Sequence, residues 1–375
     1  MTLRMRVPIT RSPERARRAA RPHTAARLAI SALSHPCCPI YDRCAIRFAQ
    51  KQTRFVMNPS YRGLLHRQRR IADPDQLRDA IYGTTMRIDR LSPTRAPSRL
   101  EQFHSMTGWG LDAAELHCRL YAEGPVTPGC VAIVFIFRAN GSSLCGIKTE
   151  DRTVVVIPPG TTLAASVIPG FSYVGTTIPT SAWEVAQSVE SGTVTECRSD
   201  HVSMRRLPLA RFAAVERQLK RSILQLRAAE ENPSVVLGEH VALLARAFAD
   251  CAGDAQSGRA TKSRLRQARL AQDWIHARIS DTIRIVDLCA VLGTSRRKLE
   301  YSFRSTFDVS PHEYIQFLRL NEIRRALLKR EMDGLSITDI ALLYGVTHLG
   351  RFSASYRELF GELPSETRKF APTSA

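Results

Sequence analysis

The sequence predicts a multidomain α+β chain, β-rich in its first half and all-α over roughly its last hundred residues. Three observations carry this. Short β-branched runs such as VAIVFIF (131–137) and TVVVIPPG (153–160) are separated by Gly- and Pro-bearing turns. From about residue 205 apolar residues recur at three- and four-residue intervals, the helical period. The C-terminal part then uses one device twice, a small residue four positions before a glycine, at an interval of roughly fifty residues.

The 375 residues leave room for two or three domains. Their 44% hydrophobic and 24% charged content is ordinary for a soluble globular protein, but the net charge of +19 is not. Residues 1–56 hold twelve Lys and Arg against two acids, which leaves +9 for the remainder and points to an anionic partner such as nucleic acid. No apolar run approaches the length of about 18 residues that a membrane span needs. The Arg-rich N-terminus lacks the apolar core of a secretory signal. Nine cysteines without a C-x-x-C pair argue against zinc and against a disulfide framework, and favour a reducing cytoplasm.

Taken in order, residues 1–56 are rich in Arg, Ala and Pro and predict a basic disordered segment. It reads as a nucleic-acid-binding arm, as a mis-assigned start upstream of Met57 (the preferred reading), or as a transit peptide. Residues 57–204 predict a β-sandwich or small barrel that serves sensing or dimerisation. In pattern this region resembles the cupin-like sensor domains of bacterial regulators. Its His104 and His117 form no H-x-H pair, so they read as satisfied structural histidines, and no metal or other cofactor is expected. Residues 205–252 predict a helical connector of two helices broken at Asn232-Pro233, whose aliphatic stripes suit interdomain or dimer packing. The small, polar GDAQSGRATKS gives a linker at 253–264.

The domain at 265–371 is the informative part. A helix at about 265–279 carries Leu270, Trp274, Ile275 and Ile279. In IVDLCAVLGTSRRKLEYSF (285–303), Cys289 stands four before Gly293, and Leu299 and Phe303 resume the apolar stripe. Two helices that cross closely need a small residue at the crossing, and the turn between them needs a residue that accepts positive φ. After a long helix from about Pro311 to Arg330, ITDIALLYGVTHLGRFSASYRELF (337–360) repeats the arrangement with Ala341, Gly345, Phe352 and Tyr356.

These features together resemble the DNA-binding domain of AraC-type bacterial transcription regulators. The matching stretches are LCAVLGTSRRKLEYSFR, the connecting helix VSPHEYIQFLRLNEIRRALL, DIALLYGVTHLGRFSASYRELFG and the closing LPSETRK, a little under a third of the chain. Cys289 stands where Ala is usual, and Glu366-Thr367 replaces the commoner residue-Tyr pair.

The resemblance implies two helix-turn-helix units whose second helices enter successive major-groove segments of double-stranded DNA. The outward set is Arg296, Arg297, Glu300 and Arg304 in the first unit, and His348, Gly350, Arg351, Ser353 and Arg357 in the second. Arg297 and Arg351, near the helix starts, are the base-reading candidates. Arg304 and Arg357 suit phosphate contact or a solvated face equally. Gly350 would let the backbone approach DNA, His348 would read DNA or cap its helix, and Leu349 would be core or touch a thymine methyl. A homodimer, a small-molecule effector in the N-terminal domain, contact with RNA polymerase and activation of transcription near the nucleoid follow as expectations. No catalytic motif such as G-x-S-x-G or H-E-x-x-H occurs, so the chain is not read as an enzyme. The rivals are a cupin-like enzyme with a helical appendage and a nonspecific basic DNA-binding protein.

Overall fold

The computed structural model describes residues 64–71, 86–93, 96–105, 108–191, 202–228, 232–251, 259–329, 332 and 334–369. The readings made for 1–56 lie outside them.

Among the described residues twelve strands are present, the last of them after a helix: β1 (Leu64–Ile71), β2 (Arg87–Arg90), β3 (Ser98–Ser105), β4 (Gly110–Leu116), β5 (Leu120–Pro125), β6 (Cys130–Arg138), β7 (Ser143–Leu144), β8 (Ile147–Lys148), β9 (Thr153–Ile157), β10 (Thr162–Val167), β11 (Phe171–Pro179) and β12 (Ser203–Arg206). They form a seven-stranded sheet, β1-β3-β4-β11-β6-β9-β12, and a five-stranded sheet, β2-β5-β10-β7-β8, with antiparallel neighbours throughout.

The two sheets share a core. Leu116, Val134, Ile136, Val155 and Ile157 of the larger meet Ile88, Leu120, Ala122, Ala165 and Val167 of the smaller. The alternate residues Val131, Ile133, Phe135, Val154 and Val156 face the other way, onto helices. Strands β6 and β9 are therefore buried on both faces, which is why their sequences run apolar without alternation.

Three helices cover that outer face: α1 (Thr180–Ser191), α2 (Leu209–Ala228) and α3 (Pro233–Ala249). Helix α1 corrects the expectation of strands and turns through this stretch. Fully buried Trp183 packs edge-on to Phe248 of α3, with ring centroids 6.1 Å apart, and that tertiary contact selects the helix. Helices α2 and α3, expected to pack between domains or copies, place Val215, Leu219, Val241, Leu244 and Phe248 against the seven-stranded sheet.

The rest is helical: α4 (Arg259–Ala277), α5 (Ile285–Val291), α6 (Arg296–Phe307), α7 (Pro311–Lys329), α8 (Ile337–Leu343), α9 (Leu349–Phe360) and α10 (Pro364–Lys369). Helix α4 starts inside the stretch read as linker. It packs through Ala268, Ala271 and Ile275, while the apolar Leu270 is exposed. Small residues on the packed face allow a closer helix approach than leucine would.

Helix α7 runs through two cores. Its first half joins α4, α5 and α6 through Tyr314, Ile315 and Leu318; its second half joins α8 and α9 through Leu320, Ile323 and Leu327.

The β-rich part docks on α7 through the edge strand β2. The Asn321 side chain accepts from Arg90 N (3.1 Å) and donates to Arg90 O (2.9 Å), so an amide stands in for the missing neighbouring strand. One turn on, Arg325 pairs with fully buried Asp89 at 2.9 Å and donates to Ile88 O at 2.5 Å. Leu91 and Tyr121 extend the seam by packing into the first helical core.

Candidate nucleic-acid interface

Helices α5 and α6 form one pair and α8 and α9 a second, and the same turn joins each. Thr294 N donates to Cys289 O at 3.0 Å, and Val346 N donates to Ala341 O at 3.0 Å. Gly293 and Gly345 hold φ of +56° and +73°, a region open to glycine at little cost. Ala341 is fully buried and Cys289 half-buried at the crossings.

The longer helix of each pair is seated by its apolar stripe. Leu299, Phe303 and Phe307 anchor α6; Phe352, Tyr356 and Leu359 anchor α9. Phe360 is partly buried against the same core and lies beneath the Arg324 guanidinium at 4.7 Å. Leu359, one position earlier, is the more deeply buried of the two.

Most of what remains outside is polar. Arg296, Arg297, Arg304, His348, Gly350, Arg351, Ser353 and Arg357 are exposed, and Glu300 is half-exposed. Glu300 and Arg304 are engaged with one another at 3.5 Å, and Arg304 also reaches Glu313 at 3.6 Å. By contrast Arg296, Arg297, Arg351 and Arg357 have no ion-pair partner among the described residues, which leaves uncompensated positive charge on both helices.

His348 occupies the N-cap position of α9, with φ −104° and ψ 74°, but its side chain makes no capping bond. Leu349 is exposed at the first helical position and is not core.

Two residues missed by sequence reasoning belong to the same surface. Lys298 is exposed on the first turn of α6. Tyr301, 58% exposed, lies four residues after Arg297 and carries the Arg264 guanidinium 4.5 Å over its ring. The helical spacing from Arg297 was the available signal for Tyr301.

The pairing of positions is also shifted. The turns correspond at an offset of 52 residues (Gly293 to Gly345), whereas the buried residues Leu299 and Phe303 correspond to Phe352 and Tyr356 at 53. The second turn holds one more residue before its helix. Arg351 therefore matches Lys298, Gly350 matches Arg297, and Arg357 matches Arg304.

A buried polar network closes the second pair. Arg324 of α7 donates to Glu362 at 2.6 Å and Thr367 at 3.2 Å, and Tyr356 OH meets Thr367 Oγ1 at 2.8 Å. Burial pushes the Tyr356 hydroxyl up to about 12, so it stays a neutral hydrogen-bonding group. Thr367, noted as a departure from the commoner pattern, thus has a partner suited to its size.

Elsewhere, His104 lies 3.6 Å from Asp112 and His117 lies 3.9 Å from Glu115. Among the described residues no cluster of His, Cys, Asp and Glu is placed to hold a metal ion, and no helix is long and apolar enough to cross a membrane.

Residues 288–369 match a family model described as a helix-turn-helix domain. Over 94 residues the chain is 38% identical to the XylDLEGF operon transcriptional activator of Pseudomonas putida, covering 25% of this chain and 29% of that one. Over 104 residues it is 29% identical to the probable thc operon regulatory protein of Rhodococcus erythropolis, covering 28% of this chain and 31% of that one. The chain thus spans under a third of the length of these curated relatives. Among solved structures it is similar to a probable AraC family transcriptional regulator from Rhodopseudomonas palustris, at 31% identity over 28% of this chain and 97% of that one, with a TM-score of 0.27.

Proposed function

We propose that this chain, whose C-terminal domain belongs to the AraC type of transcription regulators, is a sequence-specific DNA-binding regulator that places two recognition helices in successive major-groove segments. In this reading α5/α6 and α8/α9 are two helix-turn-helix units, and α7 is the strut that holds them on one DNA face. The observation that carries it is the pair of exposed helix starts, at Arg296 to Lys298 and His348 to Arg351, whose positive charge pairs with no acid among the described residues while their buried faces are locked to α7. Arginine near a helix start has the reach and fork geometry for the N7 and O6 atoms of guanine, and Lys298 and Arg357 suit phosphate.

The two stacked antiparallel sheets support a cupin-like sensor, and the seam from β2 to α7 gives an effector or a second copy bound there a mechanical route to the DNA-binding part. Activation, through contact with RNA polymerase, is the direction suggested by the relatives' names, which also speak for a regulator and against an enzyme.

The test is a gel-shift titration, at fixed salt, against duplexes that the full chain selects from a random pool. Specific binding should exceed binding to unselected DNA by about a thousandfold or more and should weaken steeply with added salt. Equal affinity for selected and unselected DNA would leave only a nonspecific basic binder.

A further inference from the structure

Helix α7 changes partners at one residue. Leu318 belongs to the core of the first helix pair and Leu320 to that of the second, so Arg319 stands at the changeover. Its Nη2 donates at 2.7 Å to the carbonyl oxygen of Asp281, in the loop that leads from α4 into α5. The same guanidinium lies against the turn of the second pair. A Cβ on Gly345 would stand 2.7 Å from Nη2 and 2.9 Å from Cζ of Arg319, closer than such atoms approach. Gly345 is thus needed twice, for its φ of +73° and for the space the arginine fills. Arg319 Nε has no hydrogen-bond partner among the described residues, so the plane of the group is held by its fit against the turn. Half-burial accordingly pulls its pKa below the usual arginine value.

A planar group wedged between a carbonyl of the loop that feeds the first helix pair and the glycine turn of the second is a spacer. We propose that Arg319 sets the separation and angle of the two recognition helices, and so fixes the distance between the two base-specific segments of the operator; this rests on the two-unit reading above. Without the guanidinium each pair keeps its own core, Leu299 and Phe303 in the first and Phe352 and Tyr356 in the second, and the pairs gain freedom to pivot about α7. Arg319 touches no base in this scheme; it is a positioning residue.

The experiment is selection from a random duplex pool with the full-length chain, read by sequencing the bound fraction. The wild-type pool should hold two base-specific segments at a single separation of about ten base pairs, one helical turn. Arg319→Ala and Arg319→Met should keep the base preferences of both segments and spread their separation over neighbouring values. Affinity for the wild-type site should fall about five- to tenfold, the scale of one net hydrogen bond, and less for sites lengthened or shortened by one base pair. Arg319→Met retains the aliphatic stem, so it decides the matter if far-UV circular dichroism shows that Arg319→Ala does not fold. Two segments at one unchanged separation in the folded variants would overturn this proposal alone. A single segment in the wild-type pool would overturn the two-unit reading and this proposal with it.

Discussion

The two helix pairs are built on one plan yet capped in opposite ways. In the first pair the short helix α5 begins at Arg284 with no side-chain cap, and the long helix α6 is capped by Ser295, whose oxygen accepts from Lys298 N at 3.3 Å. In the second pair the short helix α8 has a full capping box, Ser336 Oγ accepting from Asp339 N at 3.0 Å and Asp339 accepting from Ser336 N at 3.1 Å. The Ser336 hydroxyl also donates to the Asp339 carboxylate at 2.6 Å, and this bond, with the one from Ser336 N, holds that carboxyl below the usual carboxylate range. The long helix α9 starts at His348 with no side-chain cap, and Arg351 N reaches only the His348 carbonyl, at 3.2 Å. The helix ends differ too. Asp308 closes α6 with φ 58°, a strained choice for a residue other than glycine, and pairs with Arg119 of the β-rich part at 2.6 Å; Gly361 closes α9 with φ 79°. Turn and core define the unit, then, and the caps are free to vary. The variation leaves α9 with the more open N-terminus, where an anion would be best received.

The largest effect tests the shared part. Phe303→Ala and Tyr356→Ala each empty a fully buried position and should cost about 3–5 kcal/mol in urea unfolding. Tyr356→Phe should separate the pairs, since only the second carries a hydroxyl tied to Thr367 and Arg324; a loss of about 1–2 kcal/mol is expected. No loss would mean that the network around Arg324 adds nothing to the packing.

Binding comes next in size. Arg351→Ala should weaken binding to the selected site by about 1–3 kcal/mol and relax preference at one base position. Its register partner Lys298 should behave otherwise. Lys298→Ala should weaken all duplexes alike and lower the slope of log affinity against log salt by about one. If both variants relaxed base preference equally, the offset of 53 residues would align function as well as structure.

Sequence alone revealed the devices that have a local cause. The glycine turns, the small residues at the crossings, the span of α7 and the outward arginines all follow from spacing within some ten residues. Features set by distant partners were hidden. TSAWEVAQSVES becomes α1 because Trp183 finds Phe248, and Leu270 is exposed because Ala268 and Ala271 face the core instead. The extra residue in the second turn escaped notice because Arg297 and Arg351 look alike in sequence; only the burial of Leu299 and Phe352 sets the true register. The seam was invisible for the same reason, since Asn321 and Arg325 read as ordinary polar positions on a helix until β2 is brought beside them.

The smallest effects test the swapped caps. Ser295→Ala and Ser336→Ala should each cost about 1 kcal/mol, the usual value of an N-cap serine. His348→Ser should have the opposite sign, because a serine there can accept from the N–H groups that the imidazole leaves alone; a gain of about 0.5–1 kcal/mol in urea unfolding is expected. If those N–H groups serve a DNA phosphate, the same substitution should weaken binding to selected and unselected duplexes alike, because the new hydroxyl competes for them. Stability and affinity would then move apart in one variant. A more stable protein with unchanged binding would show that the open N-terminus of α9 takes no part in holding DNA.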